Sequence, residues 1–476
     1  MATKVNNQSV SRIRRTPITQ RSHAYLRLPE LSSLALVISA VIVGLFALME
    51  ASFSTFILFF AFLLFGSLIV GRKDTVASDL FLEVYSIVAI SAVVLYWIYI
   101  ARYGSPYYIG GSDDLAYELW AEDVVRKLGI FEYGNIRGVV VNPWHNSVGY
   151  VYLLSLLYRL GELFDGFHTM IPRLFNGMCL GLLSVFSYRL AMRLRFERWR
   201  SVTIALFSGL LPIMVYNAIH TFRDVFIALI LIIGVYLWTP RQDFSYSGSS
   251  RLKRWTVTIL LALVVSEIRY YHSLVILIVA FVGDIFARER KPSNRLQTLY
   301  AFAAIVLATI VLFALRNDIL GIFEQLNDSQ EGYTAYRIGL SQGLGAYVFA
   351  TPPPLGYILR IGYALISPLP TLSFQVERLL LSLGTLFQYF FLPFLALGFL
   401  WAIRQRSLWP LFTGFTLLFL GMALFTFAER HIVPFMPLAV ILVALGYERY
   451  RHLRIPIWLA LYWLGIGVFV LYILLR

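Results

Sequence analysis

The chain has 476 residues, 59% of them hydrophobic and 14% charged, with 40 basic against 26 acidic side chains and a formal charge of +14. A soluble domain carries about 45–50% apolar and about 25% charged residues, so this composition, with its mean hydropathy of +0.72, excludes a water-soluble globular protein. Apolar runs of about 20 residues, each long enough to cross a bilayer core of about 30 Å, recur along the chain and predict an all-α, polytopic membrane protein. The basic excess follows the positive-inside rule rather than nucleic-acid binding, so no nucleic acid is expected among the partners. The single cysteine, Cys179, excludes an intrachain disulfide.

A basic tail, residues 1–32 with Arg12, Arg14, Arg15, Arg21 and Arg27, reads as cytoplasmic and leads into an uncleaved first helix. Spans are predicted near 33–50, 53–71, 80–101, 170–192, 201–216, 223–238, 255–268, 272–287, 297–315, 378–403, 408–427, 431–447 and 456–475, about 13 transmembrane helices by the length criterion. They form an N-terminal transmembrane module (33–315) with an outer catalytic loop (102–169), a second outer loop (316–377) and a C-terminal transmembrane module (378–476). The connections assigned to the cytoplasm are Arg72–Lys73, Arg193–Arg200, Arg241–Arg254, Arg288–Arg295, Arg404–Arg406 and Arg449–Arg454. With the tail they hold well over half of the 40 basic residues. The stretch Asn146–Phe164 is apolar enough to mimic a span, but counting it would put Arg193, Arg195, Arg198 and Arg200 outside. It reads instead as an amphipathic juxtamembrane helix at, or dipping into, the outer surface.

Loops above about 15 residues are uncommon unless functional, so the two long outer connections are where chemistry is expected. In the first, Gly110-Gly111 permits a tight turn, and Ser112 or Asp113 can cap a helix running through Glu122–Leu128. Asp113 and Asp114 are then either cap and first-turn charge, or a carboxylate pair above the membrane. As a pair, one could take a proton from an acceptor hydroxyl, or both could hold a divalent cation; no other cofactor is indicated. Three further groups sit at outer span ends: His220, Arg223 and Asp224; Glu267, Arg269 and His272; Glu429, Arg430 and His431. Each ionisable group there costs a few kcal/mol unless paired or wet. They are either interfacial anchors and internal ion pairs, or the wall of a shared polar cavity where Arg and His clamp an anionic phosphate. Arg337, in the second long loop, suits sugar or headgroup contact and equally suits an ordinary loop. The histidines lack the close spacing of a metal site.

Several of these segments carry a family likeness: Gly111-Ser112-Asp113-Asp114-Leu115-Ala116-Tyr117 with Ala121, Asn142-Pro143-Trp144 through Leu160-Gly161, Pro172-Arg173-Leu174-Phe175-Asn176, Tyr188-Arg189-Leu190-Ala191, Ile268-Arg269-Tyr270, and Glu429-Arg430-His431 before Pro434 and Pro437. Residues 80–290 thereby resemble the N-terminal half of the GT-C superfamily of integral-membrane glycosyltransferases, of the polyprenyl-phosphate-sugar-dependent, bacterial polysaccharide and glycolipid type. The resemblance covers roughly half the chain and departs in having two spans before the one that leads into the acidic loop. It implies that Asp113 or Asp114 is the general base, or a metal ligand, on an acceptor hydroxyl. It also implies that an outer-face arginine holds the lipid phosphate, and that a single displacement inverts the anomeric carbon.

The expected function is transfer of a sugar from a polyprenyl-phosphate or -diphosphate carrier to a glycan, lipid or protein acceptor. The expected setting is the outer face of a bacterial inner membrane, in cell-surface polysaccharide biosynthesis. Two alternatives stay open. An O-antigen-type polysaccharide polymerase would use Arg223, Arg269, Arg337 or Arg430 without a loop carboxylate. A lipid-linked sugar flippase or transporter would need polar groups through the midplane, which these span centres lack.

Overall fold

The computed structural model describes residues 28–71, 73–107, 113–140, 147–240, 248–286, 332, 335, 344–352, 354–366, 376–426 and 429–475, and among them it is all-helical. The predicted span 297–315, the Gly110-Gly111-Ser112 turn, Asn142-Pro143-Trp144 and Arg337 lie outside the described residues.

Three apolar helices come first: α1 (Leu28–Met49), α2 (Phe53–Val70) and α3 (Thr75–Tyr103). The Asp74 side chain caps α3 by accepting the Ala77 N–H at 3.2 Å. Gly104 closes it in the left-handed region at φ +69°, where a residue without Cβ is unstrained. The polar layer follows, with α4 (Asp113–Lys127), the single-turn α5 (Ile136–Val139) and α6 (Val148–Glu162). Then come α7 (Met170–Arg193), α8 (Arg198–Leu210), α9 (Pro212–Ala218), α10 (Asp224–Trp238), α11 (Gly248–Ser266) and α12 (Tyr270–Phe286). The last group is α13 (Leu344–Ala350), α14 (Leu355–Ile366), α15 (Val376–Arg404), α16 (Trp409–Gly421), α17 (Met436–Arg449) and α18 (Arg454–Leu475).

Among the described residues, six helices are long and apolar enough to cross a membrane: Leu31–Met49, Phe53–Val70, Thr75–Tyr103, Met170–Arg193, Arg406–Leu424 and Arg430–Arg449. A seventh arises if α8 and α9 count as one span bent by 50°. The bend has a local cause: Leu211 is extended (ψ 134°) and Pro212 starts the next helix. The chain is therefore a multi-pass membrane protein, and among the described residues fewer helices qualify than the hydropathy runs predict. Two of the predicted spans fall short in length: α10 has 15 residues and α12 has 17, against the about 20 that a crossing uses. Helix α6, within the predicted juxtamembrane stretch Asn146–Phe164, has 15 residues and is not among the qualifying helices.

Helix α7 is the central post, with most of its residues buried against α2, α3, α8 and α10. Small residues permit this, because lipid offers no hydrophobic drive between helices and close packing must supply the attraction. Ser184 on α7 donates to the Ala205 carbonyl of α8 at 2.7 Å. The tightest crossing joins α15 and α17: a Cβ at Gly398 would lie 1.8 Å from the Leu442 carbonyl oxygen, and one at Gly446 would lie 2.0 Å from that of Phe394.

The charges separate along these helices. At the C-terminal ends of α7 and α10, Arg193 donates to the Tyr236 and Thr239 carbonyls. Arg200 pairs with Glu448, whose carboxylate also receives Arg451 at 2.8 Å and Arg454 at 3.2 Å. The opposite end gathers the starts of α4, α7, α10 and α12 and the 3-10 turn Glu429–Phe435 that leads into α17.

Replacing Gly446 with Val drives new atoms into the Phe394 backbone. This overpacking should cost about 1–3 kcal/mol and lower the melting temperature of the detergent-solubilised protein. Gly467→Ala is the control, since a Cβ there meets nothing within 4 Å and should leave melting unchanged.

Candidate functional site

Helix α4 buries Asp114, Tyr117, Glu118, Ala121 and Val124, the one-face spacing of a 3.6-residue helix. Asp113 and Asp114 occupy its first turn, where the helix dipole favours negative charge. Asp114 has no exposure, and its Oδ1 accepts the Leu115 N–H at 3.0 Å. The Asp113 side chain keeps 30% exposure and stands at the rim.

Four chain segments meet around this turn. The link between α9 and α10 brings His220, Thr221, Phe222, Arg223 and Asp224. Asn176 on α7 holds that link by donating to the carbonyls of His220 and Phe222, both at 2.9 Å. The link between α11 and α12 brings Glu267 and Arg269, with His272 in the first turn of α12. The 3-10 turn brings Arg430 and His431. Across these segments Arg430 Nη1 pairs with Asp113 Oδ2 at 2.5 Å. Arg269 Nη1 faces Asp224 Oδ1 at 3.7 Å, and Arg269 Nη2 meets His431 Nε2 at 2.5 Å. The Arg223 guanidinium lies over the Tyr117 ring and that of Arg430 over the Phe222 ring, at 5.8 and 5.3 Å.

The chemistry of the floor follows from these contacts. A guanidinium only donates, so His431 Nε2 must accept from Arg269 and the imidazole must carry its proton on Nδ1. That Nδ1 is buried with no hydrogen-bond partner among the described residues, and so are Arg223 Nε and Nη1. Burial, then the nearby Arg223 charge, lower Arg269 to about 10, so it stays cationic at neutral pH. Three arginines thus face two carboxylates, Asp113 and Asp224, with buried donors left over. An orphaned buried donor costs about 1–3 kcal/mol, and a ligand with several anionic oxygens would satisfy these at once.

Behind α4 lies a second polar group that the sequence reading passed over. Glu118 is 5% exposed. Its Oε1 accepts from the hydroxyls of Thr169 at 2.7 Å and Thr221 at 2.6 Å, and its Oε2 from Tyr107 at 2.9 Å. Burial pushes its carboxyl above the ordinary range, while these hydroxyls and the charge of Arg173 pull it back. Arg173 is fully buried and donates to the Pro106 carbonyl.

Of the predicted residues, Asp113, Arg223, Arg269, Arg430 and His431 come together, and Asp114 and His272 border them. His272 is buried, in electrostatic contact with His431. His220 does not join them. It donates from Nδ1 to the Tyr216 carbonyl at 2.7 Å, one turn back, and stacks on Phe222. Burial and Arg173 hold it neutral, down to about 3. Arg337 lies outside the described residues. Among the described residues no group of three His, Cys, Asp or Glu could hold a metal ion.

The pH dependence of this end is set in part by His168. Its Nδ1 accepts the Met170 N–H at 3.1 Å and so caps the start of α7. Burial, then the charge of Arg173, push it down to about 4. An unfolded histidine titrates near 6.5, so between about 6.5 and about 4 the unfolded chain binds the extra proton and stability falls as pH falls. Melting followed from pH 7 to pH 4.5 should show that loss, and His168→Gln should flatten it.

Searches against protein-family models, curated proteins and solved structures find no match to this chain.

Proposed function

We propose that this chain is a GT-C-like glycosyltransferase, inverting, that moves a sugar from a polyprenyl-phosphate or -diphosphate carrier to a hydroxyl of a glycan, lipid or protein. In this reading the remaining apolar helices complete the predicted set of about 13 spans. The observation that carries it is the ion pair between Asp113 and Arg430, set beside buried arginine and histidine donors without acceptors. A carboxylate and a phosphate clamp are held within one side chain of each other.

Asp113 is the more exposed of the two carboxylates and takes the proton of the attacking hydroxyl. The hydroxyl oxygen bonds to the anomeric carbon as the bond from that carbon to the phosphate oxygen breaks. Arg223, Arg269 and Arg430 stabilise the charge gathering on the departing phosphate. Attack opposite the leaving group inverts the centre.

Two features support an amphiphilic donor and the side of the membrane. An apolar cavity of about 300 Å³ is walled by Phe207, Leu211, Phe391, Phe415, Phe435 and Met436, the last two lying just past His431 in the chain. The arginine-rich ends of α7 and α17 lie away from the site, which by the positive-inside rule turns the site outward. The polymerase reading draws on the same gathered arginines and dispenses with the carboxylate.

The test is sugar transfer from lipid-linked donors in proteoliposomes. Asp113→Asn should lower turnover by about 10²–10⁴-fold, the span of a general base, and Arg223→Ala and Arg430→Ala should also abolish efficient transfer. Full activity of both Asp113→Asn and Asp114→Asn with an inactive Arg430→Ala would replace this reading with the polymerase. Movement of intact donor across the bilayer without transfer would replace it with a transporter.

A further inference from the structure

The acidic and basic halves of the site are on separate elements, and their covalent connection runs through most of α4, α6, α7, α8 and α9. Something must set their spacing. The Asp113–Arg430 pair cannot do so in the proposed reaction, because a phosphate at Arg430 would compete for the same guanidinium.

Glu118 is placed to do it. It lies one turn beyond Asp114 on the same buried face of α4. Through Thr221 it holds the α9–α10 link, two residues before Arg223. Through Thr169 it holds the start of α7, the helix whose Asn176 fixes that same link. Through Tyr107 it holds the chain that leaves α3 toward Asp113. All three partners donate to one carboxylate, and nothing in the site's own anion chemistry requires it. A carboxylate 5% exposed is retained only where its hydrogen bonds repay desolvation.

We infer that Glu118 is a positioning residue: its carboxylate ties α4 to the α9–α10 link and thereby sets the gap between the Asp113 carboxylate and the Arg223 guanidinium. It touches neither donor nor acceptor. Its kinetic consequence rests on the glycosyl-transfer reading, whereas its geometric consequence does not.

The test uses the full chain carrying Leu119→Cys, 52% exposed on α4, and Phe226→Cys, half-buried in the first turn of α10 three residues past Arg223, for spin labels; the native Cys179 is 1% exposed and stays unlabelled. Glu118→Ala should broaden the distance distribution between the labels in folded, monodisperse protein. Glu118→Gln, which keeps an acceptor for both threonines and a partner for Tyr107, should restore a narrow one. Thr221→Val loosens only the link and should give an intermediate width, and it serves in place of Glu118→Ala if that variant does not fold. In the transfer assay Glu118→Ala and Thr221→Val should lower kcat by about 10–100-fold, the range expected for displacement near 1 Å, with KM for the donor little changed and with rescue by Glu118→Gln. An unchanged distance distribution in Glu118→Ala or Thr221→Val overturns the inference. Altered distances without any transfer by the wild type would leave the strap standing and remove the glycosyl-transfer reading.

Discussion

Arg269 cannot be buried alone. Removing the partner of a buried ion typically costs about 3–5 kcal/mol, and this guanidinium lies within the protein at a helix link with only 13% side-chain exposure. Its two contacts, Asp224 on α10 and His431 in the 3-10 turn, draw three chain segments to one point. From there the rest of the site follows. His431 must stay neutral to accept, so its other nitrogen becomes a donor. Asp224 Oδ1 faces Arg269 at 3.7 Å without a hydrogen bond, and Arg223 Nε and Nη1 likewise have no hydrogen-bond partner among the described residues. Arg430 turns outward to Asp113 on α4.

The fold makes this arrangement affordable by confining it to helix ends. Each polar side chain of the site lies at a helix start or in a short link, while the stems of α3, α7, α10 and α17 are close-packed and apolar. Small residues along α7 and the contact of Gly398 with Gly446 bring the stems near enough for their ends to share side chains. The polar layer of α4 to α6 then sits on those ends. Gly149 at the start of α6 donates to the Glu267 carbonyl at 2.8 Å, and Tyr133 donates to the Glu267 carboxylate at 2.7 Å. The layer is therefore tied to the α11–α12 link as well as to α9–α10.

Hydropathy made the membrane class legible, and charge parity alone kept Asn146–Phe164 from being counted as a span. The polar groups at span ends were also readable, because an ionisable side chain beside an apolar run needs a reason to be there. What the chain did not disclose was which groups pair, since contacts such as Asp113 with Arg430 join segments far apart and leave no local pattern. His220 shows the limit: it has the same local setting as Arg223, yet a hydrogen bond one turn back to the Tyr216 carbonyl holds it against Phe222. Glu118 was visible in principle. Asp114, Tyr117, Glu118 and Ala121 have the spacing of one helix face, and a second carboxylate on that face is a signal that attention to the cap alone overlooks. The shortness of α10 and α12 was itself legible, since the apolar runs at 223–238 and 272–287 are about as short as the helices they form.

In the proposed reading, the arginines gathered from separate links bind one anion, the phosphate of a lipid-linked donor. The most direct measurement of that binding is thermal stabilisation of the detergent-solubilised protein by a short-chain isoprenyl phosphate and by the matching isoprenyl alcohol, on wild type and Arg223→Ala. The phosphate should raise the melting temperature of the wild type well beyond the alcohol, and Arg223→Ala should erase the difference. Equal stabilisation by phosphate and alcohol, or a phosphate effect that survives Arg223→Ala, would contradict that reading.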